Sequence, residues 1–232
     1  MDAAAPILIG ILVLAIVILS AVFSAKAAKA RRDMLAAWAA SKHLSFDPDD
    51  DPGQSAEFPQ FDIFQRGSSR RAYNTMRGVV PINGRPFPIK CGDYRYTVSN
   101  GKNSSTYRIS YIVLTLPFPN VPGLDIRREG LLDRVAGVLG FQDINFESEE
   151  FSRKFFVKCE DRRFAYLVIT PKMMEFLLAC NPPPIHISRG QICLAGADME
   201  SLRRWDPPDF DRRLAWAEEF FALWPNAAAD GA

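Results

Sequence analysis

The chain is poor in the residues that most enzymes rely on. Of its 232 residues only His43 and His186 are histidines. His43 falls in an Ala-rich helical segment and His186 alternates inside an apolar strand pattern, so both read as structural or surface residues. No Gly-x-Gly-x-x-Gly or Gly-Lys-Thr/Ser is present to cradle a phosphate, and there is no Gly-x-Ser-x-Gly elbow and no His-Glu-x-x-His. The four cysteines, Cys91, Cys159, Cys180 and Cys193, include no Cys-x-x-Cys pair. Cys180, His186 and Cys193 do not have a common zinc spacing, so reduced, mostly buried thiols are expected and no metal or other cofactor is. An excess of one charge is also missing: 28 Lys and Arg balance 27 Asp and Glu, a net charge of +1. That balance argues against a nucleic-acid partner.

What the chain does have is one long apolar run. Ala3 to Ala25 contains no charged residue. As a helix its roughly 23 residues extend about 35 Å, enough to cross a hydrocarbon core of about 30 Å. A cleaved signal peptide is the competing reading, with small residues at Ala25-Lys26-Ala27. Only Asp2 is charged on the amino-terminal side, however, and the run is longer than a signal core. A retained single-pass anchor over 1–25 is therefore expected. Lys26, Lys29, Arg31 and Arg32 follow it directly, and every Lys and Arg of the chain lies on that side. The positive-inside rule places the carboxy-terminal domain in the cytoplasm, at the cell membrane, with these four residues at the membrane surface near anionic lipid.

The basic juxtamembrane segment 26–44 continues as an Ala-rich helix with a modest stripe of Met34, Trp38 and Ser41 near Leu35 and Ala39. It either lies on the membrane or packs on the domain, and the second is preferred. The segment 45–57, with Asp47, Asp49, Asp50 and Asp51 around Pro48 and Pro52, reads as a solvated acidic linker. A calcium loop is not expected, because Pro52 and Phe58 stand where an EF-hand needs Gly and an acid.

A soluble α+β domain is expected over 58–225, with a disordered tail at 226–232. Phe61–Arg66, Tyr73–Ile82, Phe87–Val98 and Tyr107–Leu116 alternate like strands, and Asn83-Gly84 is a hairpin turn signal. They form an antiparallel meander. The second half is mixed. A helix is expected over Arg127–Leu139, short strands over Asp143–Phe146 and Phe155–Cys159, and helix or strand over Arg162–Val168. Thr170-Pro171 starts a helix, Ile185–Ser188 and Gln191–Leu194 make a hairpin, and Asp206-Pro207-Pro208 leads into a closing helix over Asp209–Trp224. A pleckstrin-like arrangement is one candidate architecture.

The densest acids outside the linker are Glu147, Glu149 and Glu150. Paired carboxylates serve as acid and base only where a cleft splits their pKa values. Followed by Arg153 and Lys154, these read as the exposed first turn of a short helix.

The stretch Phe146-Glu147-Ser148, Phe151-Ser152-Arg153-Lys154-Phe155, Asp161, Phe164-Ala165 and Pro171-Lys172-Met173-Met174-Glu175-Phe176-Leu177 resembles a pattern in uncharacterised bacterial single-pass membrane proteins, a domain family of unknown function. The resemblance covers residues 141–195, about a quarter of the chain. It implies a membrane-associated bacterial protein and supplies no catalytic residues.

The expectation is therefore a membrane-anchored cytoplasmic binding or scaffold module, with the lipid bilayer and a protein at the membrane as partners. The alternatives are a membrane-bound hydrolase using carboxylates near Glu147–Glu150, and a lipid-sensing domain working through Arg70, Arg71 and Lys90.

Overall fold

The computed structural model describes residues 4–118, 120–128, 144, 146–180, 182–196 and 204–225. Helix α1 runs unbroken from Ala4 to Ser41, so the expected anchor and juxtamembrane segment are one helix. From Gly10 on it is long and apolar enough to cross a membrane, with an 18-residue window of mean hydropathy 2.4 and 0% burial. Its last turns are different. Leu35, Trp38 and Ala39 are buried in the domain core, which agrees with packing on the domain. Leu44 N–H donates to the Ala39 carbonyl and His43 N–H to the Ala40 carbonyl, with His43 at φ 57. This left-handed turn closes the helix and sends the chain into the sheet.

The acidic segment is ordered, which corrects the expected tether. β1 (Ser45–Asp47) pairs with β2 (Ser68–Ile82), a short helix α2 follows (Gln54–Glu57), and Asp51 bridges to Ala72. The expected strand over Phe61–Arg66 is a 3-10 turn, Asp62–Phe64. Phe58, Phe61 and Phe64 are spaced three apart, which suits a tight helical turn better than a strand.

β3 (Arg85–Asn100) and β4 (Asn103–Thr115) extend the meander. Asn83 (φ 50) and Gly84 (φ 76) make the two-residue turn between β2 and β3. β5 (Leu124–Arg128), α3 (Glu149–Lys154), β6 (Phe155–Cys159), α4 (Arg162–Val168), α5 (Pro171–Ala179), β7 (Ile185–Ser188), β8 (Gln191–Ala195) and α6 (Pro207–Ala222) complete the chain. Arg127 and Arg128, expected to open a helix, end a strand instead, and the rest of that helix lies outside the described residues. Of the expected strand over Asp143–Phe146 only Ile144 and Phe146 are described, and Ile144 N–H bonds the Val157 carbonyl. The tail 226–232 lies outside the described residues as well.

The eight strands form one sheet, ordered β1-β2-β3-β4-β8-β7-β5-β6, with every neighbouring pair antiparallel. One face carries the larger core. There α1, α3 to α5 and α6 bury Trp38, Phe151, Phe164, Met173, Phe210 and Phe220 against Met76, Ile89, Cys91, Ile112 and Leu114. The other face is covered over β2, β3, β4 and β8 by Phe58, Phe61, Ile63 and Phe64, which pack on Tyr94, Tyr96, Ile109 and Tyr111. Phe64 meets Tyr94 and Tyr111 edge-on at 5.0 and 5.2 Å. The closing helix follows its sequence pattern: Phe210, Leu214, Ala217, Phe221 and Trp224 are all buried.

Candidate functional site

The most organised polar site lies where α1 meets the sheet. Arg31 is one of the four residues expected at the membrane surface, and the structure overturns that expectation for it. Its side chain is 8% exposed and faces Asp93, which is 0% exposed. The guanidinium grips the carboxylate as a fork, Nε to Oδ2 at 2.8 Å and Nη2 to Oδ1 at 2.6 Å. Ser110 Oγ donates to Oδ1 at 2.7 Å and Asn74 Nδ2 to Oδ2 at 2.9 Å. Each carboxylate oxygen therefore accepts two bonds, which satisfies the buried charge.

Trp205 closes the site. Its carbonyl accepts from Arg31 Nη2 at 2.9 Å, and its N–H donates to Ser110 Oγ at 2.9 Å. Arg31 Nη1 reaches the half-exposed Asp206, the residue preceding α6, at 3.1 Å. One guanidinium thus ties together α1, β3, β4 and the start of α6. Burial pulls the Arg31 pKa down, but the Asp93 hydrogen bond and charge, with Asp206 behind them, outweigh it, and the net shift is upward. The cation is permanent.

The backbone is shaped to make this pairing. Tyr73 pairs with Asp93 and Met76 with Cys91, so Asn74 and Thr75 bulge opposite the single residue Gly92. Asn74 sits at φ 49, which Asn tolerates, and turns its amide onto Asp93. Gly92 has φ 153, and a Cβ there would meet the Asn74 carbonyl oxygen at 2.6 Å. Only glycine leaves room for the bulge.

A second ionic cluster sits on the opposite face. Lys90, with a side chain 5% exposed, donates to Asp51 at 3.0 Å and to Glu57 at 2.6 Å, and lies over the Phe58 ring at 5.4 Å. Arg77 forks onto the same Glu57 at 3.0 and 3.2 Å. Desolvation works to raise the Asp51 and Glu57 carboxyls, but hydrogen bonds and charge from Lys90 and Arg77 prevail and hold both below the usual range. This cluster pins the acidic segment to the sheet. It also removes Lys90 from any lipid patch. Arg70 donates to the Gln65 carbonyl and Arg71 pairs with Asp50, so the three residues of the lipid-sensing alternative do not share one surface task.

The remaining expected membrane-surface residues, Lys26, Lys29 and Arg32, are exposed, and Lys29 pairs with Asp33. Between the end of α1, β2 and α6 lies a half-open cleft of about 480 Å³ with Val80, Ile82 and Leu214 at its apolar base and Lys42, His43 and Glu218 on its rim.

Groups with the right elements for chemistry fall short in geometry. Glu147, Glu149 and Glu150 are all exposed, and Glu150 is held low by its hydrogen bond and charge pairing with Lys154. The hydrolase alternative loses its carboxylates. Asp125, His186 and Cys193 are cross-strand neighbours in one row, with His186 Nδ1 2.7 Å from Asp125 Oδ1. Cys193 is fully buried, and burial pushes its thiol well above the usual range, so it supplies no thiolate nucleophile. Among the described residues no three His, Cys, Asp or Glu side chains converge on a metal position. Asp51, one of the alternating aspartates, is committed to Lys90.

The Arg31 site escaped sequence reasoning because its partner is 62 positions away. A signal did exist: Asp93 shares the inward phase of Ile89 and Cys91, and a lone carboxylate on an apolar face demands a cation.

No family model matches the chain, and no curated protein is similar to it. Among solved structures it resembles the crystal structure of the mycobacterial trehalose monomycolate transport factor A, TtfA. The TM-score is 0.54 at 11% identity, over 84% of this chain and 96% of that one. At this identity the likeness is one of fold.

Proposed function

We propose that the chain is a non-catalytic accessory module of a bacterial membrane transport or assembly system, carried on one transmembrane helix with its domain on the cytoplasmic side. The observation that carries this reading is the double use of α1. The helix that is apolar enough to span is the one whose Arg31 is locked into the domain. Anchor and domain are then one rigid piece, which suits a part that presents a fixed surface to a neighbour. The fold shared with a mycobacterial transport factor supports this function class, and the stretch over 141–195 supports the bacterial membrane. Lys26, Lys29 and Arg32, following an uncharged run, support the cytoplasmic side. The cleft at the base of α1, lined by Val80, Ile82 and Leu214, is the surface offered to a protein partner.

The test is purification of the full chain in mild detergent after photo-crosslinking from position 218, on the rim of the cleft. The expected result is one discrete membrane protein in near-stoichiometric yield, lost in Ala215→Arg, which blocks the cleft. A chain that always purifies alone and turns over a substrate overturns the reading.

A further inference from the structure

The hairpin of β3 and β4 runs toward the apolar end of α1, and its end is basic. Two contacts fix the direction. Leu44, just past the helix, packs on Gly78, which pairs with Ile89. Earlier on α1, nearer the apolar run, Arg31 holds Asp93, four residues farther along β3. Beyond Asp93, β3 continues to Asn100, roughly 23 Å at about 3.3 Å per residue. From Arg31 back to Ala25 the helix covers only about 9 Å. Even at a steep inclination to α1, the hairpin end reaches the level where the apolar run stops.

Among the described residues the charge at that level is mainly basic. Residues 64–72 and 94–110 contain Arg66, Arg70, Arg71, Arg95, Lys102 and Arg108, and no Asp or Glu. Ser68 pairs with Thr97, so both segments lie at the same end of the sheet. Arg70 is used by Gln65, and Arg71 and Arg95 share Asp50. Arg66, Lys102 and Arg108 are exposed, and no carboxylate among the described residues pairs with them. Arg108 stands directly opposite Arg95 in the ladder, on the face that carries Asp93 and Ser110 and looks toward α1. Asp50 answers Arg95 but no described carboxylate answers Arg108 beside it, so an anion at this end of the hairpin is favoured.

We propose that this hairpin end, through Arg66, Lys102 and Arg108, rests on the anionic headgroups of the leaflet from which α1 emerges. The domain then holds the membrane at two places. The inference rests on the reading of α1 as a membrane span and adds to it a surface and a lipid chemistry.

The experiment is amide hydrogen exchange of residues 97–106 in the full chain, placed in nanodiscs of phosphatidylcholine alone or with phosphatidylglycerol added. Exchange is expected to slow roughly tenfold in the anionic discs. The slowing disappears in high salt and in the R66Q/K102Q/R108Q variant, whose three positions are exposed and leave the core intact. Equal exchange in both discs, in an inserted chain, overturns this inference alone. So does slowing produced by a soluble acidic polypeptide and not by anionic discs, which assigns the surface to a protein. A chain that does not enter the discs overturns the span and this inference with it.

Discussion

Replacing Arg31 by Met tests whether the buried fork is what joins the long helix to the domain. The substitution keeps the helix and most of the side-chain volume but leaves the Asp93 carboxylate in the interior with only Ser110 and Asn74 as donors. Removing one partner of a buried ion pair is worth about 3–5 kcal/mol of stability. The half-exposed Asp206 contact adds little to this. At about 2–4 °C per kcal/mol for a domain of this size, the Tm falls by roughly 6–20 °C. Arg31→Lys keeps the charge but not the fork and recovers less than half of the loss. Asp93→Asn alone strands the guanidinium. Combined with Arg31→Met it leaves a neutral amide that still accepts from Ser110, so the double variant is more stable than the sum of the singles by roughly 2–3 kcal/mol. The assay is urea unfolding of the full chain in detergent, followed by tryptophan fluorescence from the buried Trp38, Trp205 and Trp224. A loss under about 1 kcal/mol for each single variant, with additivity within about 0.5 kcal/mol, refutes the reasoning.

Two further outcomes follow from the same packing. Gly92→Ala forces a Cβ against the Asn74 carbonyl at 2.6 Å and lowers stability by roughly 2–3 kcal/mol; an unchanged Tm in differential scanning calorimetry contradicts the account of the bulge. Asp51 and Glu57 have lowered pKa values in the fold, so the stability they supply is fully present above their ordinary values of 3.8 and 4.5. It is lost as pH falls through the lowered ones. Glu57→Gln is therefore less stable than the parent at neutral pH but drops less in Tm on acidification, and parallel Tm–pH curves for the two chains rule this out.

The parts of the fold legible in the sequence were those with local causes. Alternation and Asn83-Gly84 gave the meander, Thr170-Pro171 gave α5, and the spacing of Phe210, Leu214, Ala217 and Phe221 gave α6 with its buried face. The misread parts have non-local causes. The aspartates of 45–57 resemble a tether until Lys90 and Arg77 are placed beneath them by a strand pairing that no local pattern encodes. Phe58, Phe61 and Phe64 supply a period of three that a search for alternation overlooks. Arg31 is the sharpest case. In a basic cluster after an apolar run, a cation reads as a topology signal, and nothing in its neighbourhood separates it from Lys26, Lys29 and Arg32. Asp93 separates it, because a carboxylate on the core face of β3 must be answered by a cation from another element.

The joint has a consequence for how a membrane-held domain works. A flexible linker lets a domain search a volume set by its length and leaves its orientation free. Here no such linker joins helix and domain: α1 enters the core directly, Arg31 makes five polar contacts to Asp93, Ser110, Trp205 and Asp206, and the acidic segment is pinned by Lys90. On the proposed reading of α1 as a membrane span, the domain is presented in one orientation, with the basic hairpin on the side proposed to meet the membrane and the cleft at the far end of the helix. Search is given up, and a partner meets the same face each time, which lowers the orientational entropy lost on docking. That trade favours a standing component of a membrane assembly over a domain that captures soluble ligands at a distance.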